Sequence, residues 1–414
     1  MICRTGYRIA GFAFLCLAAL AEPGIPAELV SVPVDTCDCG NNPPASPASV
    51  PDLLSGSSST DQKAEMVEPL SLLPLTTIRS GRNDSNPQWS PLGTLLAFER
   101  SIGDKKEIHI VYSDGTPVDT VYHQLSAGNG DKFFFPGVYE ETSYNAGISW
   151  SRGGDRFVFM SNGGEGNYDV YVQDLGRTAT RLTDHKEKDG QAHWSPVADR
   201  IVFVSGRTGN GDVYLMDLKT RALTRLTPGG KAYLYPQWSP DGRKIAMMHG
   251  SNENHDIVTI NDLNKPGESL KNLTTWAHDD LRPVWSPDGR KVAFYSNYNA
   301  AKDPKIWSLI VINADGSDPA EGDGLAAKVA ATDVIPDIEA GPAWLPDSAR
   351  IVYVKNDRQE YNPLYIADIR TGTSVAVRTE TKMNHDAACS PDGTIAFRAQ
   401  VNQWDQIYVM KLKN

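Results

Sequence analysis

Three features of this 414-residue chain predict an all-β fold, specifically a β-propeller. A Trp-Ser-Pro phrase recurs along the chain, short β-type runs separated by turn chemistry follow each copy, and no stretch shows helical period. The phrase stands at Trp89-Ser90-Pro91, Trp150-Ser151-Arg152, Trp194-Ser195-Pro196, Trp238-Ser239-Pro240, Trp285-Ser286-Pro287, Trp344-Leu345-Pro346 and Cys389-Ser390-Pro391. Its first residues are 61, 44, 44, 47, 59 and 45 apart, and six of the nine tryptophans occupy that one position. We number the repeats 1 to 7 by these phrases.

Each repeat reads in the same order. In three repeats the phrase continues as Pro-Asp-Gly, where proline presets φ and glycine accepts a positive φ, so a tight turn is expected. An apolar run follows, as in Leu95-Leu96-Ala97-Phe98, Ile201-Val202-Phe203 or Ile395-Ala396-Phe397. Next comes a Gly/Asn-rich loop and a second run, as in Asp169-Val170-Tyr171-Val172 and Gln406-Ile407-Tyr408-Val409. A last run ends in Leu-Thr, at Leu182-Thr183, Leu226-Thr227 and Leu273-Thr274. Four strands at this spacing constitute one propeller blade. Repeat 7 reaches Asn414 after its third run, whereas Leu75-Thr76-Thr77 repeats Leu273-Thr274-Thr275 ahead of repeat 1. The expectation is seven four-stranded blades over residues 68–414, closed by a strand from the N-terminal side, with six blades and a divergent repeat as the fallback.

The residues before the repeats read differently. Arg4 and Arg8 precede an apolar stretch from Ile9 to Leu20, and Ala19-Leu20-Ala21 supplies the small residues of a cleavage site, so residues 1–21 are expected to be a signal peptide. Residues 22–67 hold seven prolines between Pro23 and Pro51 and the run Ser55-Gly56-Ser57-Ser58-Ser59, the composition of a flexible linker. Of the five cysteines, Cys37, Cys39 and Cys389 would remain in the mature chain, too few for a disulfide framework.

Composition narrows the function classes. Forty Lys and Arg against 51 Asp and Glu give a net charge of −11, which lacks the basic footprint of a nucleic-acid binder. No apolar run reaches the roughly 20 residues a membrane span needs. No Gly-x-Ser-x-Gly elbow, Walker loop, His-Glu-x-x-His or Cys-x-x-Cys occurs. The eight histidines fall at different offsets within their repeats, so no metal-ligand level is lined up, and neither a metal nor another cofactor is expected.

One polar constellation recurs. Five residues before each phrase stand Asp84, Asn145, Asp189, Tyr233, Asp280, Glu339 and Asn384. Just upstream of the innermost strand, they would form a ring at one mouth of the channel, able to hold a cation or a basic partner segment or simply to cap turns. Three residues before the phrase, Arg282 and Asp386 share that strand face with Asn86, Gly147, Gln191, Tyr235 and Gly341. The insertion Gln124–Tyr144 carries Phe133, Phe134, Phe135 and Tyr139, an aromatic group that would either contact a partner or pack over its blade.

The stretch Pro236–Ala246, reading Pro-Gln-Trp-Ser-Pro-Asp-Gly-Arg-Lys-Ile-Ala, resembles the WD-type repeat of the TolB propeller, as do Asp212–Leu218 and Leu223–Thr227 around it. TolB is the periplasmic component of the Tol–Pal envelope system of Gram-negative bacteria. The resemblance implies a periplasmic or secreted monomer that binds a protein partner, such as an envelope lipoprotein, through a propeller face. TolB proteins carry an α/β domain before a six-bladed propeller, whereas this chain has a Pro/Ser-rich tail and seven repeats. Related repeats also occur in peptidases and sugar-acid lyases. The alternative function is therefore a propeller enzyme, a sugar-acid lyase or glycan hydrolase, with a metal or paired carboxylates in the channel.

Overall fold

A computed structural model describes residues 66–413, apart from 78, 104, 119–142, 164–166, 252–253, 276–277, 299–305, 318–327 and 357–361. The expected signal peptide, nearly all of the expected linker and the aromatic residues Phe133, Phe134, Phe135 and Tyr139 lie outside the described residues. Described secondary structure is almost all strand, with one 3-10 turn at Gly206–Thr208 and one helical turn at Pro266–Ser269.

The strands follow the repeats. Repeat 3 is a four-stranded antiparallel sheet of Asp189–Trp194, Arg200–Ser205, Asp212–Asp217 and Leu223–Arg225. Repeat 4 is another, of Ala232–Trp238, Ile245–Ser251, Asn254–Ile260 and Leu270–Asn272. Repeats 1 and 2 share a seven-stranded sheet, joined by a two-residue parallel contact of Lys105–Lys106 with Ser143–Tyr144. Repeats 5 and 6 fall within a nine-stranded sheet, whose far edge is Met66–Val67, parallel to Ala376–Val377. None of these sheets closes on itself.

The second strand of each repeat reads as continuous rather than alternating apolar residues because both of its faces are covered. Phe98, Phe157, Phe203, Phe294 and Phe397 from these strands are at most 1% exposed. The cores lie between neighbouring repeats: Met248 and Ile257 of repeat 4 pack with Trp285, Phe294 and Ile310 of repeat 5. Leu96 and Phe98 of repeat 1 pack in the same way with Ala396 and Ile407 of repeat 7. Burying each such side chain contributes about 1.5–3 kcal/mol.

The phrase turns take the geometry their sequence predicts. In repeat 4, Gly242 has φ +66 and donates its N–H to the Ser239 carbonyl at 2.8 Å. The Ser239 hydroxyl accepts from Lys244 N–H at 2.9 Å and donates to Asp241 at 2.6 Å, so one serine organises the whole turn. A Cβ at Gly242 would stand 2.3 Å from Val197 Cγ2 of the preceding repeat, so that neighbour as well as the φ requires glycine.

The N-terminal strand Pro69–Pro74 pairs antiparallel with Trp404–Leu412, making repeat 7 four-stranded. Its continuation reproduces the Leu-Thr ending of the other repeats. Leu182, Leu226 and Leu273 donate their N–H to Val170, Val213 and Ile257, and Leu75 donates to Ile407 at 2.8 Å. Thr183, Thr227 and Thr274 accept a backbone N–H on their hydroxyls, and Thr76 accepts that of Ile407 at 3.1 Å. Thr76 is 6% exposed. Replacing it by valine orphans a buried N–H, and Thr76→Val is expected to lower stability by about 1–3 kcal/mol, read as a lower urea midpoint with an unchanged slope.

Candidate functional site

Every repeat except the second, whose first strand also meets Lys105–Lys106, opens with a strand paired on one side only, to the second strand of its own repeat. The first strands of repeats 2, 3, 4 and 5 stand beside one another in that order, and that of repeat 7 stands beside those of repeats 6 and 1. Together they form an inner wall. Backbone groups on the wall side have no ladder partner and must find others.

A bulge makes this possible. The pairing of first and second strands slips between Ser85 and Gln88, Ala146 and Ser149, Gly190 and His193, Leu234 and Gln237, Leu281 and Val284, and His385 and Ala388. Within each slip, three residues before the phrase, the backbone is left-handed: φ is +50 at Asn86, +71 at Gly147, +50 at Gln191, +52 at Tyr235, +56 at Arg282 and +48 at Asp386. Gly341 occupies the same position in repeat 6 with φ +82. A bulge re-aims the residue it displaces. Tyr235, Gln191 and Arg282 hold a conformation that costs non-glycine residues on the order of 1–2 kcal/mol.

These residues link repeat to repeat. The Gln191 side chain accepts the Tyr235 N–H at 2.7 Å, and Asp386 accepts the Asn86 N–H at 3.2 Å. Glu99, 1% exposed, accepts from Asn86 Nδ2 at 2.8 Å, from Gly147 N–H at 2.9 Å and from Lys106 Nζ at 2.8 Å. Asp386 also pairs with Arg398 at 2.7 Å, and Arg398 reaches Asp405 at 3.1 Å. The Arg282 guanidinium lies 4.3 Å from the centre of the Tyr235 ring and donates to the Glu339 carbonyl.

The charged groups are perturbed accordingly. Burial and then the Asp386 carboxylate push Asp337 up to about 7, although Asp337 accepts the Glu339 and Ala340 N–H groups at 2.9 Å. Burial and then the Arg282 charge push His193 down to about 4, so its imidazole is neutral at pH 7. Burial lowers Arg282, but far from enough to discharge a guanidinium.

The ring expected five residues before each phrase takes a different form. Asp84, Asn145, Asp189, Tyr233, Asp280 and Asn384 are buried, none more than 3% exposed. Their side chains serve the interior. Asp84 takes two hydrogen bonds from Arg100 at 2.6 and 2.8 Å, and Asp189 pairs with Arg207 at 3.0 Å. Asn145 donates to the Lys106 carbonyl, Asn384 donates to the Asn362 carbonyl, and Tyr233 stacks on His249. Of the seven, Glu339 alone is exposed, within electrostatic range of Glu99, Lys106, Asp386 and Arg398. Asp280 and Arg282 are both buried, but Arg282, like Asp386, sits at the bulge and Asp280 does not. The two rows thus do not share one face, because the bulge turns the second row away from the first.

Sequence reading missed Glu99, Lys106, Asp337 and Arg398. All four lie outside the phrase, so no repeat register pointed to them. The bulge itself left a signal, since Asn86, Gly147, Gly341 and Asp386 are residue types that tolerate a left-handed backbone. Among the described residues no group of three or more His, Cys, Asp or Glu side chains is placed to hold a metal ion.

Residues 137–321 match the family model of the TolB β-propeller domain, as the repeat in the sequence led us to expect. No curated protein matches the chain. Among solved structures, TolB from Acinetobacter baumannii is 15% identical with a TM-score of 0.45, over 81% of this chain and 65% of that one. The chain thus spans about two thirds of the length of that TolB. An oligogalacturonate lyase in complex with manganese is 15% identical with a TM-score of 0.60, over 85% of this chain and 96% of that one. An oligogalacturonate lyase from Vibrio parahaemolyticus is 13% identical with a TM-score of 0.58, over 82% and 93%. At these identities the likeness to the lyases is one of fold.

Glu99 is the most heavily used acceptor of the wall. Glu99→Leu would take the Glu99 carboxylate from Lys106, the buried Asn86 amide and the half-buried Gly147 N–H, a change expected to cost about 3–5 kcal/mol. Thermal unfolding of the variant against the parent measures it, with Glu99→Gln expected to retain part of the loss.

Proposed function

We propose that this chain is an exported TolB-like β-propeller that acts as a protein–protein interaction module in the cell envelope. In this reading residues 68–414 are seven blades behind a signal peptide and linker, with Pro69–Pro74 completing the last blade. The partner is an envelope protein of the kind TolB proteins engage, such as a lipoprotein, and the chain acts as a monomer. The TolB family match supports it. No helix among the described residues is long and apolar enough to cross a membrane.

The observation that carries the reading is how the inner wall uses its charges. Lys106 is bound to Glu99, Arg398 to Asp386 and Asp405, and Arg282 to a backbone carbonyl and the Tyr235 face. Acids and bases engaged with each other hold the first strands together. Recognition then falls to Glu339, the exposed residue beside these pairs, and to the exposed apolar turn tips Leu92 and Val197.

Two measurements test this. Envelope extract passed over the immobilised mature chain should yield one dominant partner. Its retention should fall at least about tenfold in Glu339→Lys or Leu92→Asp, exposed positions where substitution leaves folding nearly unchanged. Oligogalacturonate incubated with the chain and manganese should remain intact. Formation of an unsaturated uronide would replace this reading with the lyase-type enzyme that the whole-length structural likeness would then explain.

A further inference from the structure

The junctions between successive sheets follow a charge rule that one junction breaks. A residue at or near the start of the third strand in one repeat lies close to the buried residue five before the phrase in the following repeat. Between repeats 2 and 3 these are Asp169 and Asp189, and each has its own guanidinium: Arg181 at 2.6 Å from Asp169 and Arg207 at 3.0 Å from Asp189. Between repeats 3 and 4 they are Asp212 and Tyr233, and the single acid has a single arginine, Arg225 at 2.8 Å. Buried acids and arginines match at both.

Between repeats 4 and 5 the pair is Asp256 and Asp280. Strand register shows what replaces the arginines. Arg181 pairs with Tyr171 and Arg225 with Tyr214, and the equivalent Val258 pairs with Asn272. Ser205 and Ser296 are the Cα partners of Asp189 and Asp280, so Tyr298 stands where Arg207 would. Asp280 is fully buried, and among the described residues no lysine, arginine or histidine nitrogen lies within ion-pair distance of it. Its carboxyl is flanked by the hydroxyls of Ser296 and Thr274, with Asp256 and Asp279 nearby. The titratable groups around the pair are His249, 3.9 Å from Asp256; His255, bound to Asp279 at 2.6 Å; Lys231; and Tyr233 stacked on His249.

We propose that the junction between repeats 4 and 5 is a proton-dependent contact, closed while Asp280 is the neutral acid and loosened when Asp280 ionises. The fully buried Asp280 carboxylate, with no guanidinium and a second acid nearby, meets a large desolvation penalty when charged, so the proton is retained in the folded state. An acid held neutral by its surroundings binds its proton more tightly folded than unfolded. Burial pushes Asp280 up to about 8 from an unfolded value near 3.8. Stability contributed by the proton is therefore complete on the acid side of that window and is lost as pH rises through it.

Thermal unfolding of the full chain at about pH 5.5 and about pH 8.5 tests this, since one retained proton changes the folding constant by up to about tenfold per pH unit. Asp280→Asn removes the titration and should unfold at a higher temperature than the parent at the alkaline pH. Asn272→Arg, at an exposed position, gives Asp256 the guanidinium that Asp169 and Asp212 have and, by offsetting the charge of Asp256 beside Asp280, should do the same. Asp189→Asn, at the same repeat position but beside Arg207, should instead lower stability at both. Backbone amides of Asp280–Trp285 should exchange faster at the alkaline pH in the parent and not in Asn272→Arg. The proposal is overturned if Asp280→Asn and Asn272→Arg both leave the pH dependence unchanged, or if Asp280→Asn destabilises as Asp189→Asn does.

Discussion

Each repeat except the second begins with an edge strand, and the unpaired edge of that strand is the constraint from which most of the structure follows. Exposed strand edges are a liability that a sheet cannot satisfy alone. Here the neighbouring repeat supplies the partners. The indole N–H of Trp150 donates to the Gln88 carbonyl, Trp238 to His193, Trp285 to Gln237 and Trp344 to Val284, at 3.1 to 3.2 Å. Each acceptor is the residue just before the phrase in the preceding repeat. Cys389 keeps a weak version at 3.8 Å to Ala343. Among the described residues the indole nitrogens of Trp89 and Trp194 have no hydrogen-bond partner, although the Trp194 backbone N–H is taken by Ser149. Tryptophan recurs because it joins a large apolar surface for the inter-repeat core to a donor that reaches across it.

The same constraint explains which parts of the fold were legible in the sequence. Turn, second strand and Leu-Thr ending could be read because each depends on local chemistry: glycine φ, continuous apolar character and a threonine hydroxyl. Pairing of Leu75 and Thr76 with repeat 7 was legible for the same reason, since those two residues match the Leu-Thr endings of other repeats. The inner wall was not. Glu99, Lys106 and Arg398 lie on second and third strands whose pattern is dominated by core packing, and Asp337 lies in the long spacing between the phrases of repeats 5 and 6. Nothing in a single repeat says that these side chains meet. The bulge misled in a specific way: counting two residues from Asp280 to Arg282 implies a shared strand face, and the left-handed residue breaks that count.

Charge balance within the fold is local rather than global. The chain carries −11 overall, yet its buried acids between repeats 2 and 3 and between repeats 3 and 4 are each matched by an arginine. The excess acidity is concentrated at exposed positions such as Asp241, Asp288 and Asp392 in the phrase turns, where serine hydroxyls and backbone N–H groups hold the carboxylates below their usual range. Surface acids at turns keep a chain soluble with little effect on the core. The junction between repeats 4 and 5 is conspicuous against that background because the same position, in the same fold, lacks its counter-ion.

Pairing of Pro69–Pro74 with Trp404–Leu412 also has a consequence for synthesis. A segment made early must wait for more than three hundred residues to emerge before its partner strand exists. During that interval it presents an unpaired β-edge with Leu70 and Leu73, which remain more than half exposed even in the finished fold. Such an edge invites pairing with another copy of the chain. Prolines at both ends, each lacking a backbone N–H, limit how far any wrong partner could extend along it. The strand that completes the last repeat is therefore also built to wait.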